Sequence, residues 1–162
     1  MKRIGQDELH ALQAKADRHP RGRLNLNLHG EPDDPVQRLL IAMNPGSYVR
    51  VHQHPDQWEM LMVVRGAFTL LTFDDERRVL TRSRLQAGND DPDALLLAEL
   101  PARTWHTLLC DARQSLFLEV KPGPYTPANA RHADWAPSEG STGVTDLLRF
   151  FSGCSVGDKA PG

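Results

Sequence analysis

Between Gly46 and Gly66 the chain reads Gly-Ser-Tyr-Val-Arg-Val-His-Gln-His-Pro-Asp-Gln-Trp-Glu-Met-Leu-Met-Val-Val-Arg-Gly, and this stretch constrains the fold more than any other. Successive side chains on a strand point to opposite faces, so His52 and His54 share a face, with backbones about 6.6 Å apart. Two imidazoles can therefore converge on one ion. Pro55-Asp56-Gln57 supplies turn chemistry, and Glu59 returns on the next strand to complete a two-histidine, one-carboxylate set. A fourth candidate ligand, His106, follows Glu99-Leu-Pro-Ala-Arg-Thr-Trp, where a proline-led turn feeds an apolar strand. A barrel wall would bring that distant residue to the hairpin.

The rest of the chain fits an all-β architecture. From Arg23 to Tyr125 it breaks into short β-type runs at 23–29, 37–43, 48–54, 58–64, 67–73, 77–85, 94–100, 104–110 and 115–121, nearly all separated by turn clusters. Short strands punctuated by Gly, Pro and Asp, with no intervening helices, predict a double-sheet jelly roll. Residues 6–19 read as a helix, with Asp7 as N-cap and Leu9, Leu12 and Ala16 on one side. After Tyr125 the composition turns to Pro, Gly, Ser and Ala. It leaves a helix at 144–151, pinned by Phe150 and Phe151 to the barrel or a second subunit, and a disordered stretch over the last eleven residues. The expected organisation is a helical segment over 1–22, a barrel over 23–125 and a partly disordered extension over 126–162.

The spacing of Gly46, His52, His54, Glu59 and Gly66 resembles the first motif of the cupin superfamily without a gap. The second cupin motif is matched at Pro101 and His106, while Leu95, Arg103 and Cys110 stand where the family has two glycines and an asparagine. The resemblance narrows to the WbuC family of small bacterial cupins. It does so through Asn25-Leu-Asn-Leu-His29, Asp34-Pro-Val-Gln-Arg-Leu-Leu40, Trp58-Glu59, Trp105-His106-Thr107, Lys121-Pro-Gly-Pro-Tyr125 and Trp135-Ala-Pro-Ser-Glu139. That likeness implies a cupin double-stranded β-helix, or jelly roll, holding a metal. It also implies a gene placed among those for surface-polysaccharide (O-antigen) synthesis and a homodimer formed by sheet contact.

Charge and length limit the partners. The chain has 162 residues and a net charge of −2, with acidic and basic side chains interspersed, so it has no electrostatic footprint for nucleic acid or an anionic membrane. A small-molecule ligand, such as a sugar, is the expected partner. The amino terminus lacks the apolar core of a signal peptide, which predicts a cytoplasmic protein. Two cysteines far apart in sequence make no disulfide framework: Cys110 reads as a buried thiol and Cys154 as a free thiol on the tail.

Three imidazoles and a carboxylate suit one divalent transition ion and disfavour calcium or magnesium. Iron, zinc, nickel, manganese and copper all fit that donor set. A closed tetrahedral site would be structural, whereas a six-coordinate ion would keep positions for substrate or dioxygen. Around the metal, Arg23, Asn25, Asn27 and His29 form the polar side of a strand whose other side is Leu24, Leu26 and Leu28. Asn25, Asn27, Arg38, Lys121 and Tyr125 are candidate substrate-binding residues, and His29 is the candidate general base. Gln37 and Glu119 are similar cases. His10, His19 and His132 read as solvated or packed, and Trp58 and Trp105 as facing away from the metal. Two functions follow: a metal-dependent isomerase, epimerase or oxygenase acting on a carbohydrate or related metabolite, or a non-catalytic metal-dependent sugar- or acid-binding protein.

Overall fold

A computed structural model describes residues 1–88 and 91–162. The chain opens with helix α1 (Gln6–Arg18), followed by β1 (Arg23–Asn27), β2 (Val36–Met43), β3 (His52–Gln53), β4 (Glu59–Arg65), β5 (Ala67–Phe73), β6 (Val79–Gln86), β7 (Leu97–Leu100), β8 (Trp105–Cys110) and β9 (Ser115–Pro122). A two-residue strand β10 (Arg131–His132) and helix α2 (Val144–Gly153) complete it. The strands form two five-stranded sheets, ordered β1-β2-β9-β4-β7 and β10-β3-β8-β5-β6, with antiparallel neighbours throughout.

Period-two patterning explains how each sheet finds its faces. On β4, Glu59, Leu61 and Val63 are buried, while Met60, Met62 and Val64 are more open on the opposite face. On β5 all seven residues are buried, because both of its faces are covered. Phe68 and Leu70 join Met43, Leu85, Leu108 and Phe117 between the sheets, whereas Leu71 and Phe73 face outward to a second cluster.

Each sheet carries a helix on its outer face. Leu12 and Ala16 of α1 pack on Leu40, Ala42 and Leu116, with Leu9 and the leucines of β1 around them. The helix is capped earlier than Asp7 suggests: Gly5 is the N-cap and its N–H donates to Glu8 at 2.8 Å, leaving Asp7 in the first turn. On the other sheet, Leu147 and Phe151 of α2 are buried against Leu71, Phe73, Val79 and Leu109. Phe151 is therefore seated on the barrel rather than held out for a second subunit.

The last residues do not form a loose tail. The Val79 N–H donates to Asp158 O at 2.9 Å, Gly157 N–H to Val79 O at 2.8 Å and Ala160 N–H to Arg77 O at 3.0 Å. Cys154 and Ala160 are buried. These backbone bonds depend on no side chain, which is why composition alone pointed to disorder. Cys154 is a buried thiol, as Cys110 is.

Two turns frame the hairpin. Gly46 and Gly66 take φ of 84° and 82°, values favoured by glycine, and at Gly66 a Cβ would come within 2.8 Å of Ser115 Cβ. Arg103 sits at φ 66° in the loop before β8, where the cupin motif has glycine. Its N–H donates to His54 O at 2.8 Å and its Nε to Pro55 O at 3.2 Å, offsetting the left-handed backbone and tying that loop to the hairpin.

Candidate metal centre

His52 on β3 and His106 on β8 are direct cross-strand partners, and His54 follows β3 on the same face. Glu59, the first residue of β4, reaches them from the facing sheet. One ligand atom from each of the four lies within 4.8 Å of all the others. An ion about 2.1 Å from each donor holds its donors within about 4.2 Å of one another, so this set is close to coordination spacing. His54, Glu59 and His106 are buried, and His52 is half-buried.

The backbone fixes how the rings present themselves. Each Nδ1 lies at hydrogen-bond distance from a carbonyl oxygen: His52 from Arg50 at 2.9 Å, His54 from Asn129 at 2.6 Å, and His106 from Thr104 at 2.9 Å. A carbonyl can only accept, so each Nδ1 carries the proton and each Nε2 keeps a lone pair. This arrangement orients histidines at metal sites. The Nε2 atoms of His54 and His106 are buried without a hydrogen-bond partner, yet lie 3.3 and 2.9 Å from the oxygens of Glu59. Lone pairs meet lone pairs at these contacts unless a cation lies among them. The donor set fits a transition ion.

Burial opposes ionisation of Glu59, but the His106 and His54 imidazoles and the charges of His106 and Lys121 outweigh it and hold its carboxyl well below the usual range. Burial, with the neighbouring His106, keeps His52 neutral far below the usual imidazole range. At His54 burial also opposes the charged form, but the Glu59 carboxylate beside Nε2 outweighs it and raises the pKa, so that without a metal a proton on Nε2 is the cation that can lie between the two groups. Below that raised pKa, metal uptake must expel a proton from His54. Apparent metal affinity is expected to fall as pH drops through the raised His54 pKa and to be regained above it, by about tenfold per pH unit for each proton released. Competition against a coloured chelator across that range measures this.

A cavity of about 310 Å³ opens from the cluster. Ile41, Val49, Leu61, Leu108 and Phe117 give it apolar walls, and Glu119 and Lys121 line it on β9. Lys121 Nζ lies 2.6 Å from Glu119 Oε1 and 3.4 Å from Glu59 Oε1. Burial and the charge of Glu59 push the Glu119 carboxyl above the usual range, against the pull of Lys121.

Among the candidates for substrate contact, Asn25 and Lys121 line the cavity, and Lys121 is largely enclosed. Asn27 is exposed and accepts a hydrogen bond from Asn25 at 2.7 Å, and Arg38 and Tyr125 are not cavity residues. Tyr125 is 59% exposed. His29 is not a cavity residue: it is buried outside it, where Nδ1 accepts the Arg38 N–H at 3.0 Å. Gln37 spends its amide on Pro32 O and Asp34 O, closing a turn. Trp58 is 40% exposed, and Trp105 rests against the outer cluster with its indole N–H donating to Asp75 at 2.9 Å.

Patterning missed cavity residues before, within and after the barrel. His19, Arg21, Arg50, His132 and Glu139 all line the cavity. His132 is the cross-strand partner of His52, with ring centroids 6.2 Å apart. The two are far apart in sequence, and no local pattern links them.

Known structures share this architecture. The chain is similar to KdgF from Halomonas sp. at 20% identity over 67% of this chain and 84% of that one, with a TM-score of 0.50. It is similar to the TT1209 protein of Thermus thermophilus at 16% identity over 75% and 97%, with a TM-score of 0.53. It also resembles a sugar phosphate isomerase from a cupin superfamily, from Silicibacter pomeroyi, at 23% identity over 83% and 74%, with a TM-score of 0.51. No protein of curated function is detectably similar in sequence. These likenesses show the cupin fold, with three histidines and a glutamate gathered as a candidate metal site. A family model covers residues 4–85, a span that includes His52, His54 and Glu59, and the chain belongs to that family, described as a domain of unknown function, DUF6016.

Proposed function

We propose that the protein is a metal-dependent isomerase or epimerase acting on a small carbohydrate-like metabolite. The observation that carries this reading is the convergence of His52, His54, Glu59 and His106 at a cavity that also holds a buried carboxylate–ammonium pair. A transition ion bound there would polarise a carbonyl or hydroxyl oxygen of the substrate. Glu119, buried and made more basic by its surroundings, is the group placed to take and return a proton, and Lys121 holds it in position. The WbuC resemblance supports a role in surface-polysaccharide biosynthesis, and the similarity to a structure described as a sugar phosphate isomerase agrees with the reaction class.

Solvent-deuterium exchange into sugars and sugar phosphates, followed by NMR with the metal-loaded protein, tests the reaction class. Exchange at the carbon beside a carbonyl is expected, and Glu119→Gln is expected to slow it by about 10²- to 10⁴-fold. Ligand binding without exchange in any of them would instead establish the non-catalytic binding function.

We also propose a homodimer. Val64, Leu95, Leu96 and Leu97 are between 38% and 54% exposed around the edge strand β7, an apolar surface that a second copy would cover. Sedimentation velocity should show a dimer, and Leu96→Glu should shift it to monomer.

A further inference from the structure

The cavity carries a second charged cluster that holds no part of the metal site. Arg21, Arg23 and Glu139 all line it. Arg21 places Nε 2.8 Å from Glu139 Oε2 and donates Nη2 to Oε1 at 3.1 Å, while Arg23 Nη2 closes on the same Oε1. Two guanidiniums thus direct three nitrogens at one carboxylate, the fork geometry that also suits a phosphate.

Arg23 keeps its position without Glu139. Its Nη1 donates to Tyr48 O at 2.6 Å and Ser47 Oγ at 3.2 Å, and its side chain is only 13% exposed. Burial, and then the like charge of Arg21, disfavour its ionised form, so the pair calls for an anion between them. The segment carrying Glu139 is fastened independently too. Arg50 donates to Ala136 O at 2.8 Å and Ala133 O at 3.1 Å, and Tyr48 Oη donates to Pro137 O at 2.9 Å. Residues 133–137 can therefore stay in place while the Glu139 side chain, 37% exposed, swings away.

We propose that Arg21 and Arg23 form an anion subsite for the phosphate or carboxylate of a sugar phosphate or sugar acid, and that Glu139 occupies it as an internal stand-in until such a ligand displaces it. The sugar-borne source of the anion rests on the function proposed above; the subsite needs no metal. An internal carboxylate lowers the apparent affinity for any competing anion by the fraction of time it leaves the site free. Removing its charge removes that competition.

Calorimetric titration of inorganic phosphate and of acetate into the full chain, both metal-stripped and metal-loaded, tests this. Glu139→Gln is expected to bind phosphate at least about tenfold more tightly than wild type in both metal states, and Arg21→Gln with Arg23→Gln in that background to abolish the gain. A parallel gain for acetate identifies a carboxylate site, and a gain for phosphate alone a phosphate site. Equal affinities in wild type and Glu139→Gln, a gain that survives loss of both arginines, or binding confined to the metal-loaded protein would each overturn the proposal. If Glu139→Gln fails to fold, the wild-type chain decides: phosphate should raise its melting temperature and Arg21→Gln should abolish the rise, whereas an unmoved melting temperature overturns the subsite. Because the metal-stripped arm stands alone, failure of the metal assignment leaves this test readable.

Discussion

His54→Ala is expected to strip the metal centre while leaving the barrel folded. The residue contributes a buried Nε2 that faces Glu59, and its Nδ1 is held by the Asn129 carbonyl. Loss of a partner behind a ligand costs about 10- to 100-fold in metal affinity, and loss of the ligand itself should exceed that range. The fold should persist because the apolar cores lie elsewhere: Phe68, Leu70 and Phe117 between the sheets, and Leu71, Phe73 and Phe151 outside. His52→Ala and His106→Ala should behave alike. Metal content and far-ultraviolet circular dichroism, measured on the same samples, check both halves of the expectation. Full metal occupancy in all three variants would remove these histidines from the ligand set.

The second large effect concerns stability. Phe151 is fully buried, with its ring centroid 5.8 Å from that of Phe73 and 6.1 Å from that of Phe150. Truncating a buried phenylalanine to alanine costs about 3–5 kcal/mol, from lost transfer energy and the cavity left behind. For a chain of this size that corresponds to a fall in melting temperature of about 6–20 °C. An exposed tail helix would show almost no change, so thermal unfolding of Phe151→Ala separates a C-terminal segment that belongs to the core from one that merely follows it. Leu148, only partly buried on the same helix, should cost less when truncated, which gives an internal control.

Much of this architecture was legible because its signals are local. Strand alternation placed β2, β4, β5, β6, β8 and β9 to within about two residues, and the histidine spacing put His52 and His54 on one face. The polar side of β1 did turn toward the cavity at Arg23 and Asn25, but the strand ends at Asn27, so Asn27 and His29 leave that surface. Periodicity says which residues share a side; it does not say how far the sheet extends. The run predicted at 48–54 shrank to two paired residues, since Tyr48 and Val51 are buried by the C-terminal segment rather than by a strand partner.

What remained hidden was carried by long-range backbone contact. Asn129 orients His54 through a carbonyl, β10 brings His132 beside His52, and the last residues bond to Arg77 and Val79 main-chain atoms. None of these depends on residue type, so composition could not reveal them. Lys121 illustrates the converse. A lysine is most often a surface residue, but here Glu119 and Glu59 offset the burial of its charge and hold its ammonium above the usual pKa. Its role is set by two carboxylates that the fold brings to the same cavity.

The centre is most directly tested by elemental analysis of the full chain purified without chelators. One transition ion per chain, reduced to a small fraction of that in His54→Ala, is the expected result. Protein that carries no metal and takes up none when dialysed against iron, zinc, nickel, manganese or copper would contradict it, and would leave the three imidazoles and Glu59 bound only to protons.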